Sequence, residues 1–309
     1  MSTFSIIIPF YNAERYLHEA LLSVQNQSFT DWECLLINDA STDNSEQIAL
    51  SMVSSDERFK LDKNFQNKGV SSSRNLGLYK AKSKWICFLD ADDIWKENKL
   101  EKDFEIIQHS DSQLVFIYST TQLIHNSIDN KGNLYGAGNN GLTQNPFFSL
   151  LSGMHIHLST VVVRNELIKK KSVVFNEKMR FAEDTLFCYE LLRFGSVFFN
   201  NQVLSYYRVD VVSSTSFIPK KEQIMGSYIV FENLLLKVKT SVEKKIVSLY
   251  LVKIGFKKLI VLSLLKQRPH FSLYFSTLLK ILKNKNVFLL HKVYALILPF
   301  SILINKWFK

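Results

Sequence analysis

The run Trp85-Ile86-Cys87-Phe88-Leu89-Asp90-Ala91-Asp92-Asp93 decides the fold. Five consecutive apolar residues are too few for a buried helix and suit a strand covered on both faces. Three carboxylates follow it at once. Upstream the same arrangement recurs. Phe4 to Ile8 is a β-branched apolar run, expected to stop at Pro9 and followed by Pro9-Phe10-Tyr11-Asn12-Ala13-Glu14. Trp32 to Ile37 leads into Asn38-Asp39-Ala40-Ser41-Thr42-Asp43. Phe59 to Leu61 is a weaker strand before Asn67-Lys68-Gly69-Val70-Ser71, with Arg74 and Asn75 just beyond.

Helical segments separate these strands. Ala13 to Asn26 places Tyr16, Leu17, Ala20, Leu21 and Val24 on one face. Asp43 or Asn44 can cap the next helix, and Ser71 to Lys80 reads as a third. Alternating strands and helices imply an α/β fold with a parallel sheet covered on both sides. Such sheets bind ligands at the carboxyl ends of their strands. Polar groups follow every strand here, so they gather at one edge.

That edge is complementary to a nucleotide diphosphate. A carboxylate such as Asp39 can accept the imide N–H of uracil. Arg74, at a helix start, can offer a fork of donors to phosphate. Asp90 and Asp92 present oxygens suited to a hard divalent cation, which would neutralise a diphosphate leaving group. Asp93 reads as the cap of a helix beginning near Trp95, and Glu183 and Asp184 also read as acidic first-turn residues of a helix. His155 and His157 alternate ahead of a strand, so both point to one side, where they are structural, face solvent or face the acceptor. Neither GxGxxG nor GxxxxGK[ST] follows any strand, which excludes dinucleotide-binding and P-loop readings.

SIIIPFYNAERYL, CLLINDASTDNS, NKGVSSSRNLGL and WICFLDADDIW together resemble the successive blocks of family 2 glycosyltransferases. The match is dense over residues 3 to 100 and sparser to about 215. The resemblance implies a GT-A fold, a Rossmann-like mixed sheet flanked by helices, and inverting transfer from a nucleotide-sugar, with UDP the expected nucleotide. It implies Pro9 and Tyr11 lining the nucleobase pocket, Glu14 near the nucleoside and Asp39 on uracil. Arg74 would sit near base and diphosphate, Asp90 towards the ribose and Asp92 on the metal, Mn2+ or Mg2+. The general base would be Asp184 of Phe181-Ala182-Glu183-Asp184-Thr185. The family often carries Tyr-Arg-x-His late in the domain. This chain has Tyr207-Arg208-Val209-Asp210, so Arg208 matches and Asp210 stands where a histidine ligand is common. A nucleotidyltransferase would carry a Gly-rich loop after the first strand, where Pro-Phe-Tyr-Asn stands. The intact acids argue against a non-catalytic scaffold.

The 309 residues are 47% hydrophobic and 21% charged, which excludes a disordered chain. Further strands are expected at Leu114 to Tyr118, Leu158 to Val163, Val197 to Phe199 and Val203 to Tyr207. A helix is expected at Glu183 to Arg193 and a Gly/Asn-rich loop at 126 to 145. After Ser216 the texture changes, giving domains at 1–216 and 217–309. The second part holds 17 Lys and Arg against 3 Asp and Glu, while the first holds 21 against 25. This basic helical extension, ending in the apolar run Val293 to Ile304, implies an anionic membrane surface as partner. It lacks the aromatic–basic pattern of a nucleic-acid module. Cys34, Cys87 and Cys188 are spaced as buried small hydrophobes. With no basic region before the first apolar run, the chain is expected in the cytoplasm, at the inner membrane face, acting on a glycan or lipid-linked acceptor.

Overall fold

A computed structural model describes residues 2–125, 127–136, 140–144, 146–147, 156–209 and 220–251. At its centre, Phe4–Phe10 (β1) and Trp32–Asn38 (β2) are buried at every position. β1 lies between β2 and Trp85–Phe88 (β4) and runs parallel to both. Phe59–Lys63 (β3) extends β2, again in parallel. Pro9 does not end β1 as expected; it pairs with Ile37 inside the strand. Pairing with β4 runs only from Phe4 to Ile7, so Pro9 has one neighbouring strand and its missing N–H disturbs little.

The helices Leu17–Gln25 (α1), Ser45–Ser55 (α2), Val70–Lys80 (α3) and Lys99–Gln108 (α4) follow in the expected alternation. Beyond β4 the sheet becomes mixed. Ile94–Trp95 (β5) is a short strand, so no helix begins there, and Asp93 is not a cap. Leu114–His125 (β6) pairs with Ser127–Tyr135 (β7), so part of the expected loop is a hairpin. Gly141–Thr143 (β8) pairs with the 13-residue Ser196–Arg208 (β10). β10 joins the two short strands expected around 197–207 through register shifts against β6. A 3-10 turn, Leu158–Thr160, precedes Val162–Arg164 (β9), which runs antiparallel between β4 and β6. The sheet order is β3-β2-β1-β4-β9-β6-β10-β5. Asn165–Lys171 (α5) and Glu183–Leu191 (α6) complete the layer. All three cysteines are buried and unpaired.

The chain divides into two compact units, 1–179 with 183–213, and 180–182 with 214–309. The described part of the second is helical. It contains Lys220–Lys237 (α7), and Val230, Phe231, Leu234 and Leu235 of that helix are buried. No described helix is long and apolar enough to cross a membrane. The expected apolar run Val293 to Ile304 lies outside the described residues.

α3 reaches the sheet at Gly77. A Cβ there would stand 2.5 Å from Ile7 Cγ2, and Ile7 is fully buried. Alanine would gain about 1 kcal/mol of helix propensity, but the overlap in a closed core costs about 1–3 kcal/mol. Gly77→Val, with more bulk and a weaker helix former, is expected to lower stability by about 2 kcal/mol or more in urea unfolding.

Candidate active site

Side-chain hydrogen bonds lace the ends of β1 and β2 together. Asn12, at φ 48°, accepts the Thr42 N–H at 2.8 Å, and its own N–H donates to Ser41 Oγ. Asp43 accepts the N–H groups of Glu14 and Ser45. Glu14 in turn accepts from the Asn44 backbone and side chain, both at 3.0 Å. Glu14 therefore serves the start of α2, and Tyr11 beside it is 48% exposed. Pro9 is buried in the strand beneath it.

Asp39 is buried and organises the turn into α3. Oδ1 accepts from Asn64 Nδ2 at 2.7 Å and from the Lys68 N–H, and Oδ2 from the Gly69 N–H at 2.8 Å. Gly69, at φ 87°, occupies a conformation other residues rarely adopt. Asn64 also donates to Ser73 Oγ, holding the carboxylate's partner to α3.

Arg74 is the cationic centre. One guanidinium nitrogen donates to Asp90 Oδ1 at 2.7 Å and another to Glu183 Oε1 at 2.8 Å. The group is nearly inaccessible and lies over the Phe175 ring. Burial works against its charge, yet Asp90 and Glu183 outweigh burial and push its pKa further up. The same pair holds Asp90 low: burial would raise it, and Arg74 overcomes that. Glu183 is pushed up by burial and by Asp184, with Arg74 opposing. Asp184 is in the first helical turn, where its Oδ1 accepts the Thr185 N–H. Glu183 and Asp184 thus stand in the first turn of α6, with Glu183 paired to Arg74.

The acidic turn is built further by residues the sequence left ambiguous. Asp93 is 1% exposed. Ser159 Oγ donates to Asp93 Oδ2 at 2.6 Å and accepts the Asp90 N–H, while its carbonyl accepts Trp95 Nε1. His157 Nε2 lies 3.2 Å from Asp93 Oδ2. One ligand atom each from Asp90, Asp93 and His157 falls within 4.8 Å of the others. Arg208 is buried and clamps the turn: its Nε donates to the Asp92 carbonyl and a terminal nitrogen to Glu19 at 2.7 Å. Asp210 and His155 lie outside the described residues.

Among the described residues the cluster holds more acids than cations. Of Asp90, Asp92, Asp93, Glu183 and Asp184, Arg74 bonds Asp90 and Glu183, while Arg208 is shared with Glu19. Burial together with Asp93 and Asp90 pushes the Asp92 carboxyl up to about 7. Burial and Asp90 drive Asp93 well above the usual carboxylate range. Burial lowers His157, leaving a neutral imidazole at neutral pH. A surplus of acids, hard oxygen donors and a neutral imidazole fit a divalent cation.

The fold is shared with S. aureus TarS 1-349 in complex with UDP-GlcNAc, at a TM-score of 0.73 and 19% identity over 92% of this chain and 81% of that one. It is a GT-A glycosyltransferase fold. Residues 5–148 match the model for Glycosyl transferase family 2. An uncharacterized glycosyltransferase of Haemophilus influenzae is 33% identical over 222 residues, 70% of this chain and 83% of that protein. The chain belongs to glycosyl transferase family 2. It is also 38% identical over 123 residues to an Escherichia coli protein, the UDP-Glc:alpha-D-GlcNAc-diphosphoundecaprenol beta-1,3-glucosyltransferase WfgD, spanning 40% of this chain and 47% of WfgD.

Removing Arg74 leaves two largely buried carboxylates facing each other. Arg74→Ala is expected to cost about 3 kcal/mol in denaturant unfolding. Arg74→Lys should recover only part of it, because one ammonium lacks the planar fork that reaches both acids.

Proposed function

We propose that this chain is an inverting, metal-dependent glycosyltransferase that moves a sugar from a UDP donor to a hydroxyl of a glycan or lipid-linked acceptor. One observation carries this: Asp39 after β2, Arg74 in α3, Asp90 and Asp92 after β4, and Asp184 at the start of α6 all stand towards the carboxyl ends of the parallel strands. The UDP-glucose donor and diphosphate-linked acceptor in the name of WfgD support the substrate class.

In this reading Tyr11, Pro9 and Glu14 border the nucleobase, and Asp39 accepts the uracil imide N–H with a lone pair left beside its turn contacts. Arg74 faces the diphosphate while keeping Asp90 and Glu183 in place, and Arg208 holds the acidic turn against α1. Asp90 and Asp92 hold Mn2+ or Mg2+, with Asp210 as a further ligand; the ion supplies Lewis-acid neutralisation of the leaving group. Asp184 takes the proton from the acceptor hydroxyl as that oxygen attacks the anomeric carbon. Arg74 draws on Glu183, leaving the neighbouring Asp184 as the carboxylate open to the acceptor. The domain ends near residue 216, and the basic segment 217–309 rests on an anionic inner membrane face.

Asp184→Asn is expected to lower kcat by about a hundredfold or more, measured as UDP release from a panel of UDP-sugars with a lipid-linked acceptor. Its thermal shift with UDP and Mn2+ should persist. Loss of both together would place Asp184 in binding and remove it as the base.

The Asp92 carboxyl sets the pH dependence. Its pKa rises from 3.8 in the unfolded chain to about 7 in the folded one, so the folded state holds the proton more tightly. Its contribution to metal-free stability is full below the lower value and is lost as the pH rises through about 7. A cation must displace that proton, so affinity moves the opposite way. The melting-temperature increment produced by Mn2+ should be larger at pH 8 than at pH 6. Asp92→Asn should flatten the difference.

A further inference from the structure

We infer that His157 is a nitrogen ligand of the site's divalent cation, joining with Asp93 the carboxylates of the acidic turn and biasing the site towards manganese over magnesium. This rests on the reading of the acidic turn as a cation site.

Atoms bound to one ion at about 2.1 Å stand about 3 Å apart in cis and about 4 Å in trans. His157 Nε2 and Asp93 Oδ2 are 3.2 Å apart, and a ligand atom of Asp90 lies within 4.8 Å of both. His157 and Asp93 thus already have a cis spacing, and Asp90 lies close enough to reach the same ion with a small shift of its side chain. The imidazole is held there from several sides. Its ring packs on Tyr207 with centroids 4.4 Å apart and meets the edge of Tyr135 at 6.3 Å. The His157 backbone is pinned independently, since its carbonyl accepts from both the N–H and the hydroxyl of Thr160. Ser159, two residues on, ties the same turn to Asp90 and Asp93.

A histidine serving packing alone would be expected to spend its nitrogens on backbone carbonyls. Among the described residues His157 Nδ1 has no hydrogen-bond partner, and Nε2 faces carboxylates. Imidazole ligation favours a transition ion, whereas Mg2+ prefers an all-oxygen shell. One nitrogen among carboxylates therefore discriminates between the two ions.

The test is pulsed electron paramagnetic resonance of Mn2+ bound to the full chain with UDP, together with Mn2+ and Mg2+ binding constants, on the unmutated protein and on His157→Asn. Expected is a 14N modulation of the Mn2+ signal that disappears in the variant. Mn2+ affinity should weaken by about tenfold or more, with a smaller change for Mg2+. Mn2+ bound with no nitrogen modulation in the unmutated protein overturns the inference without requiring any variant to fold, and leaves the cation reading standing. Nitrogen modulation that survives in His157→Asn also overturns it, assigning the nitrogen elsewhere. No Mn2+ binding at all, by either measurement, overturns both the inference and the cation reading.

Discussion

The site depends on one guanidinium shared between two acids that are far apart in sequence. Arg74 joins Asp90 at the end of β4 to Glu183 at the start of α6, a separation of 109 residues for the second contact. Without it the half-buried Asp90 and the largely buried Glu183 would lose their shared cation, and both carboxyls would be pushed towards taking a proton. With it, α6 is drawn to the carboxyl edge of the sheet, and Asp184 comes along because it is the next residue. A charge interaction thus sets the placement of a helix. The apolar face of α6, with Leu186, Phe187 and Leu191 buried, supplies the burial energy but little directional information.

Rigidity at the edge comes from a different source. Asn12 and Ala40 hold left-handed backbone conformations at the ends of β1 and β2, at φ 48° and 61°. Such strain persists only where surrounding contacts over-determine it. The contacts are visible: Asn12 with Ser41 and Thr42, Glu14 with Asn44, and Asp43 with the N–H groups of Glu14 and Ser45. Two neighbouring loops brace each other, so Tyr11 and Asp39 sit on a fixed frame.

The first half of the fold was legible because its strands are apolar on both faces and each is closed by polar residues. The same regularity exposed Asp39, Arg74, Asp90 and Asp92. Legibility failed where pairing is long-range. β10 looked like two strands because Asn200, Asn201 and Gln202 interrupt its apolar run, yet its register against β6 continues past them through bulges. β7 is exposed along much of its length and polar, so no hydrophobic alternation marked it as a strand. Asp93 read as a helix cap because an acid that caps a helix and one buried within a turn are the same residue type at the same kind of position. Only burial and the contacts of Ser159 and His157 separate the two, and those residues lie 66 and 64 positions away. Ser159 carries no sequence signal at all, since nothing in a lone serine announces that its hydroxyl will bind one acid and accept from the backbone of another.

The charge balance of the edge bears on how a donor enters. On the proposed reading, a bare nucleotide diphosphate would meet the acidic turn with Arg74 and Arg208 as the cations beside it among the described residues, and the ionised share of those acids would oppose binding. A divalent cation bound there, as proposed, would displace the protons that burial and the neighbouring acids hold on Asp92 and Asp93, both raised above the usual carboxylate range. It also turns the turn from a repulsive surface into an attractive one. Cation and diphosphate should therefore bind with positive coupling, each raising the other's affinity by the same factor, as linkage requires. The buried acids that cost the metal-free fold stability are then the source of that coupling, because the energy released on their neutralisation appears only when the donor complex assembles.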